Sequence, residues 1–128
     1  MAHKILIIDD DIDLVEVLRI VLEKHGYSVI DAQDGERGFT LIEREKPDLV
    51  ILDVMMRTED EGFVIAEKIR SMPEIANIPI IMLTAVVQQT GYQYNKDDET
   101  LPVDEFIEKP VMPDTLINYI EKYLGKNR

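Results

Sequence analysis

The chain has 128 residues, 45% apolar and 31% charged, with a net charge of −12 and no cysteine. That length suits one domain with a real core, expected over residues 1–128, and the composition is globular rather than disordered. The acidic balance speaks against phosphate contacts in nucleic acid and against anionic membrane, and the lack of thiols excludes a disulfide framework, a cysteine nucleophile and a sulfur-ligated metal.

The N-terminus, Met1-Ala2-His3-Lys4, leads into four apolar residues, 5–8, and then Asp9, Asp10 and Asp11. Four apolar residues are too few for a signal sequence or a membrane span, so a cytoplasmic location is expected and this run reads as a first strand. Asp11 is placed to cap a helix whose apolar positions Val15, Leu18, Val21 and Leu22 recur at helical spacing, with Gly26 to end it. Ser28 to Ala32 reads as a second strand. Asp34 and Gly35 open a helix carrying Phe39, Leu41 and Ile42, and Pro47 marks the approach to a third strand at 49–52, which Asp53 follows. A third helix is expected to begin near Gly62, to use Val64, Ile65 and Ile69, and to stop before Pro73. Residues 80–83 form a fourth apolar run before Thr84; Phe106 and Ile107, with Glu108, form a fifth before Lys109. Pro113 fits the first turn of a last helix with Leu116, Ile117, Ile120 and Leu124 on one stripe and Gly125 at its end.

Alternating strands and helices predict an α/β fold with a parallel sheet covered on both faces. Strands one, three and four are uninterruptedly apolar and belong in the centre, whereas strand two carries Asp31 and strand five is flanked by Glu105 and Glu108, which suits the edges. The order 2-1-3-4-5 satisfies this with right-handed crossovers and makes strands one and three neighbours where the winding reverses. Asp9, Asp10 and Asp53 then meet in one crevice, with Thr84 and Lys109 on the same edge.

Carboxylates ~5 Å apart repel by roughly 3 kcal/mol at an effective dielectric near 20. Lys109 supplies one positive charge, so an oxygen-coordinated divalent cation is the better remedy, and Mg2+ accepts one or two carboxylates together with a phosphate oxygen. With charge so neutralised, Asp53 can act as a nucleophile toward an activated phosphoryl group, and Thr84 can donate its hydroxyl to a phosphoryl oxygen. Singly, each residue also has an ordinary explanation: a solvated turn and helix cap for Asp9 to Asp11, a strand end for Asp53, a strand residue for Thr84, a surface charge for Lys109. Their coincidence after four different strands is what points to a site.

These residues lie in the runs Ile5-Leu6-Ile7-Ile8-Asp9-Asp10-Asp11, Leu52-Asp53-Val54-Met55-Met56, Leu83-Thr84-Ala85 and Phe106-Ile107-Glu108-Lys109-Pro110. In these runs, and over nearly its full length, the chain resembles the CheY-like receiver domains of two-component response regulators. The resemblance implies a flavodoxin-like doubly wound fold, and Asp53 as acceptor of a phosphoryl group from a histidine kinase or phosphotransfer protein. It also implies Mg2+ held by Asp9, Asp10, Asp53 and the backbone carbonyl of Met55. Lys109 would pair with the phosphoryl group through a cis bond to Pro110, and Thr84 and Phe106 would form a switch pair. Phe106 has no hydroxyl to hold it outward, so its inward state is expected even without phosphate. Output would run through contacts with an unknown protein target rather than with nucleic acid or membrane, from a stand-alone domain that is no enzyme beyond its own phosphorylation and dephosphorylation.

The chain departs from the family pattern twice. After Met56 it reads Arg57-Thr58-Glu59-Asp60-Glu61-Gly62, without the usual proline and one residue longer. Between Thr84 and Lys109, residues 86–102 offer no apolar stripe, so a degenerate fourth helix, short or mobile and followed by loop, is expected. Met55 and Val86 occupy the family's positions that govern phosphoryl lifetime; both are apolar and cannot position a water, so slow self-hydrolysis is expected. Other readings share the topology. An aspartyl-nucleophile phosphatase wants an acid where Met55 stands, a flavin module wants a hydroxyl- and glycine-rich loop where the aspartates stand, and a receiver-shaped scaffold would take no phosphate at all.

Overall fold

Five short hydrophobic runs become strands because β-branched and leucine side chains cover both faces of a parallel sheet. They are β1 (Lys4–Ile8), β2 (Ser28–Ala32), β3 (Leu49–Asp53), β4 (Ile80–Thr84) and β5 (Glu105–Glu108), all parallel, in the order β2-β1-β3-β4-β5. The structure, a computed structural model, describes residues 3–53, 61–84 and 103–125. Among them are four helices: α1 (Ile12–Lys24), α2 (Gly35–Glu45), α3 (Glu61–Arg70) and α4 (Pro113–Leu124). The sheet order and the central and edge strands agree with the sequence reading. The expected degenerate helix at 86–102, the loop ligand Met55 and Val86 lie outside the described residues. Among the described residues no helix is long and apolar enough to cross a membrane.

Strand alternation divides the core in two. Ile5, Ile7, Leu49, Ile51, Ile81 and Leu83 face α1 and α4, meeting Leu18, Leu22, Leu116 and Ile120. Leu6, Ile8, Val50, Leu52, Ile80 and Met82 face α2 and α3, meeting Phe39, Ile42, Ile65 and Ile69. Two glycines bring α2 close on this second side. A Cβ at Gly38 would collide with the buried side chain of Ile8, and one at Gly35 would stand 2.6 Å from Ile65 Cγ1.

Helix ends follow the sequence signals. Asp11 accepts from Leu14 N at 3.2 Å and Asp34 from Arg37 N at 2.8 Å, each as an N-cap. Gly26, at φ 88°, takes the left-handed turn after α1. One position departs from expectation: Val64 is 55% exposed. The buried line of α3 runs through Gly62, Ile65, Ala66 and Ile69, and a 3.6-residue period places Val64 on the opposite side.

Edge strands differ in how their polar residues are handled. On β2, Arg19 donates to the Val29 carbonyl at 3.0 Å and pairs with Asp31 at 2.6 Å, blunting the free edge. On β5, Glu105 does not flank the strand but lies within it, buried. Lys122 Nζ at 3.0 Å and the Tyr123 hydroxyl at 2.8 Å, both from α4, satisfy its carboxylate. Arg70 ties the end of α3 to the start of β5 through Asp104 at 2.6 Å, and Asp104 also accepts from Ile80 N at 2.8 Å.

Candidate functional site

The carboxyl ends of β1, β3, β4 and β5 bring the five side chains of interest to one edge of the sheet. Ile8 pairs in register with Leu52, so Asp9 and Asp53, the next residues along, stand side by side at the winding reversal. Asp9 N donates to the Ala32 carbonyl at 3.0 Å, which prolongs the β1–β2 ladder by one residue. Its Oδ1 accepts from Asp11 N at 2.9 Å, turning the chain from the strand into α1. This turn leaves Asp9 buried and Asp10 exposed at the mouth, while Asp53 closes β3 as a buried residue.

Carboxylate oxygens of Asp9, Asp10 and Asp53 all lie within 4.8 Å of one another. Lys109 follows β5, and its backbone N–H donates to the Thr84 carbonyl at 2.8 Å. Its Nζ stands 3.4 Å from Asp53 Oδ1 and 3.5 Å from Asp9 Oδ2. The Lys109–Pro110 peptide is cis. Thr84 is buried at the end of β4, in register with Glu108. Phe106 is half-buried on the α2 and α3 side, its ring centroid 6.2 Å from that of Phe63 with an interplanar angle of 55°.

Among the described residues, charge is out of balance here. At 4.8 Å each pair of carboxylates repels by roughly 3.5 kcal/mol at an effective dielectric of 20, and one ammonium offsets only part of this. Burial pushes the Asp9 carboxyl above the usual carboxylate range, against the opposing effects of the Asp11 N–H and of Lys109. The Oδ2 of Asp9, fully buried, accepts no hydrogen bond. A buried carboxylate oxygen with no hydrogen bond and an ammonium no nearer than 3.5 Å, in a cluster of hard oxygens with no imidazole, fits an oxygen-seeking divalent cation such as Mg2+.

The model of the family described as "response regulator receiver domain" matches residues 5–121. The chain belongs to the response regulator receiver domain family. This receiver domain is 38% identical over 113 residues to the alkaline phosphatase synthesis transcriptional regulatory protein PhoP of Bacillus subtilis (strain 168), covering 88% of the chain and 45% of that relative. The receiver chain spans about half the length of the curated relatives it matches. Among solved structures it is similar to the N-terminal domain of a response regulator receiver protein from Methanoculleus marisnigri JR1. That likeness has 31% identity and a TM-score of 0.73 and covers 99% of this chain and 100% of that one. It is also similar to the signal receiver domain of a signal transduction histidine kinase from Syntrophus aciditrophicus, at 28% identity and TM-score 0.81, covering 96% and 90%.

Sequence reading of this receiver domain missed two contacts made by the first turn of α3. Glu61 reaches back from α3 to accept from Gly35 N at 2.9 Å, binding the first turns of α2 and α3 together. Phe63 sends its ring to Phe106. Both begin the helix that follows the stretch after Asp53, and only their place in the first turn of α3 could have signalled them.

Proposed function

We propose that this receiver domain takes a phosphoryl group onto Asp53 from a histidine kinase or a phosphotransfer protein of a two-component system. The observation that carries the reading is the Lys109 ammonium standing between the carboxylates of Asp53 and Asp9, 3.4 and 3.5 Å away, inside an acidic cluster. An Asp53 oxygen attacks phosphorus, the phosphorus–nitrogen bond of the donor phosphohistidine breaks, and the imidazole leaves with the bond's electrons. An acyl phosphate results. Lys109 pairs with the phosphoryl oxygens as they take up charge, and the Thr84 hydroxyl donates to one of them.

Asp9, Asp10, Asp53 and the backbone carbonyl of Met55 would hold the Mg2+. Bound there, it would neutralise charge on the transferring group. Asp10, exposed at the mouth, leaves a path for the donor, and Asp9 sets the depth of the cluster through its bond from Asp11. The domain acts in the cytoplasm as a single unit over residues 1–128, signals by protein contact, and performs no chemistry beyond gaining and losing its own phosphoryl group.

Intact mass after incubation with acetyl phosphate and Mg2+ tests this. One added phosphoryl group in the wild type, absent from Asp53→Asn and absent when Mg2+ is chelated, is the expected result. A chain that stays unlabelled is the scaffold reading and ends the proposal.

A further inference from the structure

The first turn of α3 carries an aromatic contact that the site chemistry does not use. Phe63 lies in that turn, and its ring meets Phe106 of β5 at a centroid distance of 6.2 Å and 55°. Phe106 pairs in register with Met82, two residues before the Thr84–Glu108 pair. Strand alternation therefore puts the Phe106 and Thr84 side chains on the same face, as diagonal neighbours. Phe106 also lies three residues before Lys109, whose ammonium touches Asp53. The two rings thus span from the helix that follows the stretch after Asp53 to the strand that delivers Lys109.

We infer that Phe63 is a positioning residue that sets the side-chain rotamer of Phe106, so that the state of Asp53 reaches β5 through the first turn of α3. Two features make the turn fit to carry such a signal. Glu61 fastens it to α2 by the 2.9 Å bond to Gly35 N, and Gly62 and Ile65 are buried against the sheet, so it moves as a piece or not at all. Phe63 itself is only half-buried, and a tilted aromatic pair is a directional contact, sensitive to the angle of either ring. A shift of the turn by a fraction of a ring width exchanges one staggered Phe106 rotamer for another. The link from Asp53 rests on the phosphoacceptor reading above; the link between the rings does not.

The chain has three phenylalanines, Phe39, Phe63 and Phe106, so ring-labelled phenylalanine gives a simple NMR spectrum. The χ1 angle of Phe106 is read from three-bond couplings in the full chain, first without and then with acetyl phosphate and Mg2+, with intact mass reporting uptake. Without phosphodonor, the wild type is expected to hold one Phe106 rotamer. Phe63→Leu, which keeps most of the buried area, should shift the rotamer ratio by about two- to tenfold, and Phe63→Tyr, which keeps the ring, should not. An unchanged χ1 in Phe63→Leu, with its cooperative unfolding intact, overturns the inference. On uptake, both rings should change together in the wild type, and the Phe106 response should shrink in Phe63→Leu. An equal response in both proteins, or uptake with both rings still, also overturns it. Absence of uptake refutes the phosphoacceptor reading instead, and the measurement on the unphosphorylated chain still decides whether Phe63 positions Phe106.

Discussion

Lys109 Nζ stands 3.4 Å from Asp53 Oδ1 and within 3.5 Å of Asp9 Oδ2, so one ammonium serves two buried carboxylates. Its backbone N–H is at the same time fixed to the Thr84 carbonyl. The strand end and the charged tip are thus positioned by separate bonds, and removing the tip leaves the backbone arrangement in place.

Lys109→Met is expected to slow phosphoryl uptake from acetyl phosphate by about 10²-fold, the usual cost of removing one preorganised charge from a developing transition state. It should also tighten Mg2+ binding by roughly tenfold, because the cluster loses its internal cation. Uptake followed by intact mass and Mg2+ titration by calorimetry check the two effects, and a fall in both uptake and Mg2+ affinity would contradict the assignment.

Asp9 sets a pH dependence. Its folded-state pKa is raised above the ordinary value of 3.8, chiefly by burial. Its contribution to metal-free stability is therefore fully present below that ordinary value and is lost as pH rises through the raised one. Asp9→Asn, which keeps the acceptor for Asp11 N, should stabilise the metal-free protein at neutral pH by about 1 kcal/mol, with the gain shrinking under acid. Mg2+ should do the reverse, stabilising the wild type at neutral pH, less so as protons compete in acid, and scarcely stabilising the variant. Thermal unfolding at several pH values, with Mg2+ or chelator, measures both.

Tyr123 donates to the buried Glu105 at 2.8 Å, and burial together with that carboxylate pushes its pKa far above the usual phenol value of 10.0. In an ultraviolet titration Tyr123 is expected to stay protonated where an ordinary phenol ionises. The stability it contributes holds below pH 10.0 and falls as pH rises toward the raised value. Tyr123→Phe takes one hydrogen-bond donor from the buried Glu105 and should cost about 1–2 kcal/mol in urea unfolding.

Met55→Asn is expected to hasten loss of the phosphoryl group, because an amide two residues after the acceptor offers an attacking water the donor and acceptor that a thioether lacks. The measurement is the half-life of labelled protein after donor removal; an unchanged half-life counts against slow hydrolysis arising from apolar neighbours.

The sheet was legible because burial on both faces demands unbroken apolar runs and edges tolerate Asp31 and Glu108; that contrast separates centre from edge, and the order 2-1-3-4-5 satisfies it with right-handed crossovers. Asp9, Asp53, Thr84 and Lys109 were legible because the polar residue that ends a buried strand has nowhere to go but the sheet's carboxyl edge. Val64 misled because its neighbours are apolar as well, and only the line through Gly62, Ile65, Ala66 and Ile69, two of them small, tells which side is inward. Glu105 misled because a charge next to a short apolar run reads as flanking the strand until its donors are known. Those donors, Lys122 and Tyr123, lie 17 and 18 residues away on another element. The ties of Glu61 to Gly35 and of Phe63 to Phe106 likewise join positions far apart in the chain, which no local pattern encodes.

Gly38 has no room for even a methyl group because Ile8 fills the space, and Ile8 is the residue directly before Asp9. A screen for lost signalling should therefore recover Gly38→Ala among its hits, although Gly38 carries no functional group. The added carbon pushes on the strand end, and the damage surfaces one peptide unit further on, as a misaimed acid.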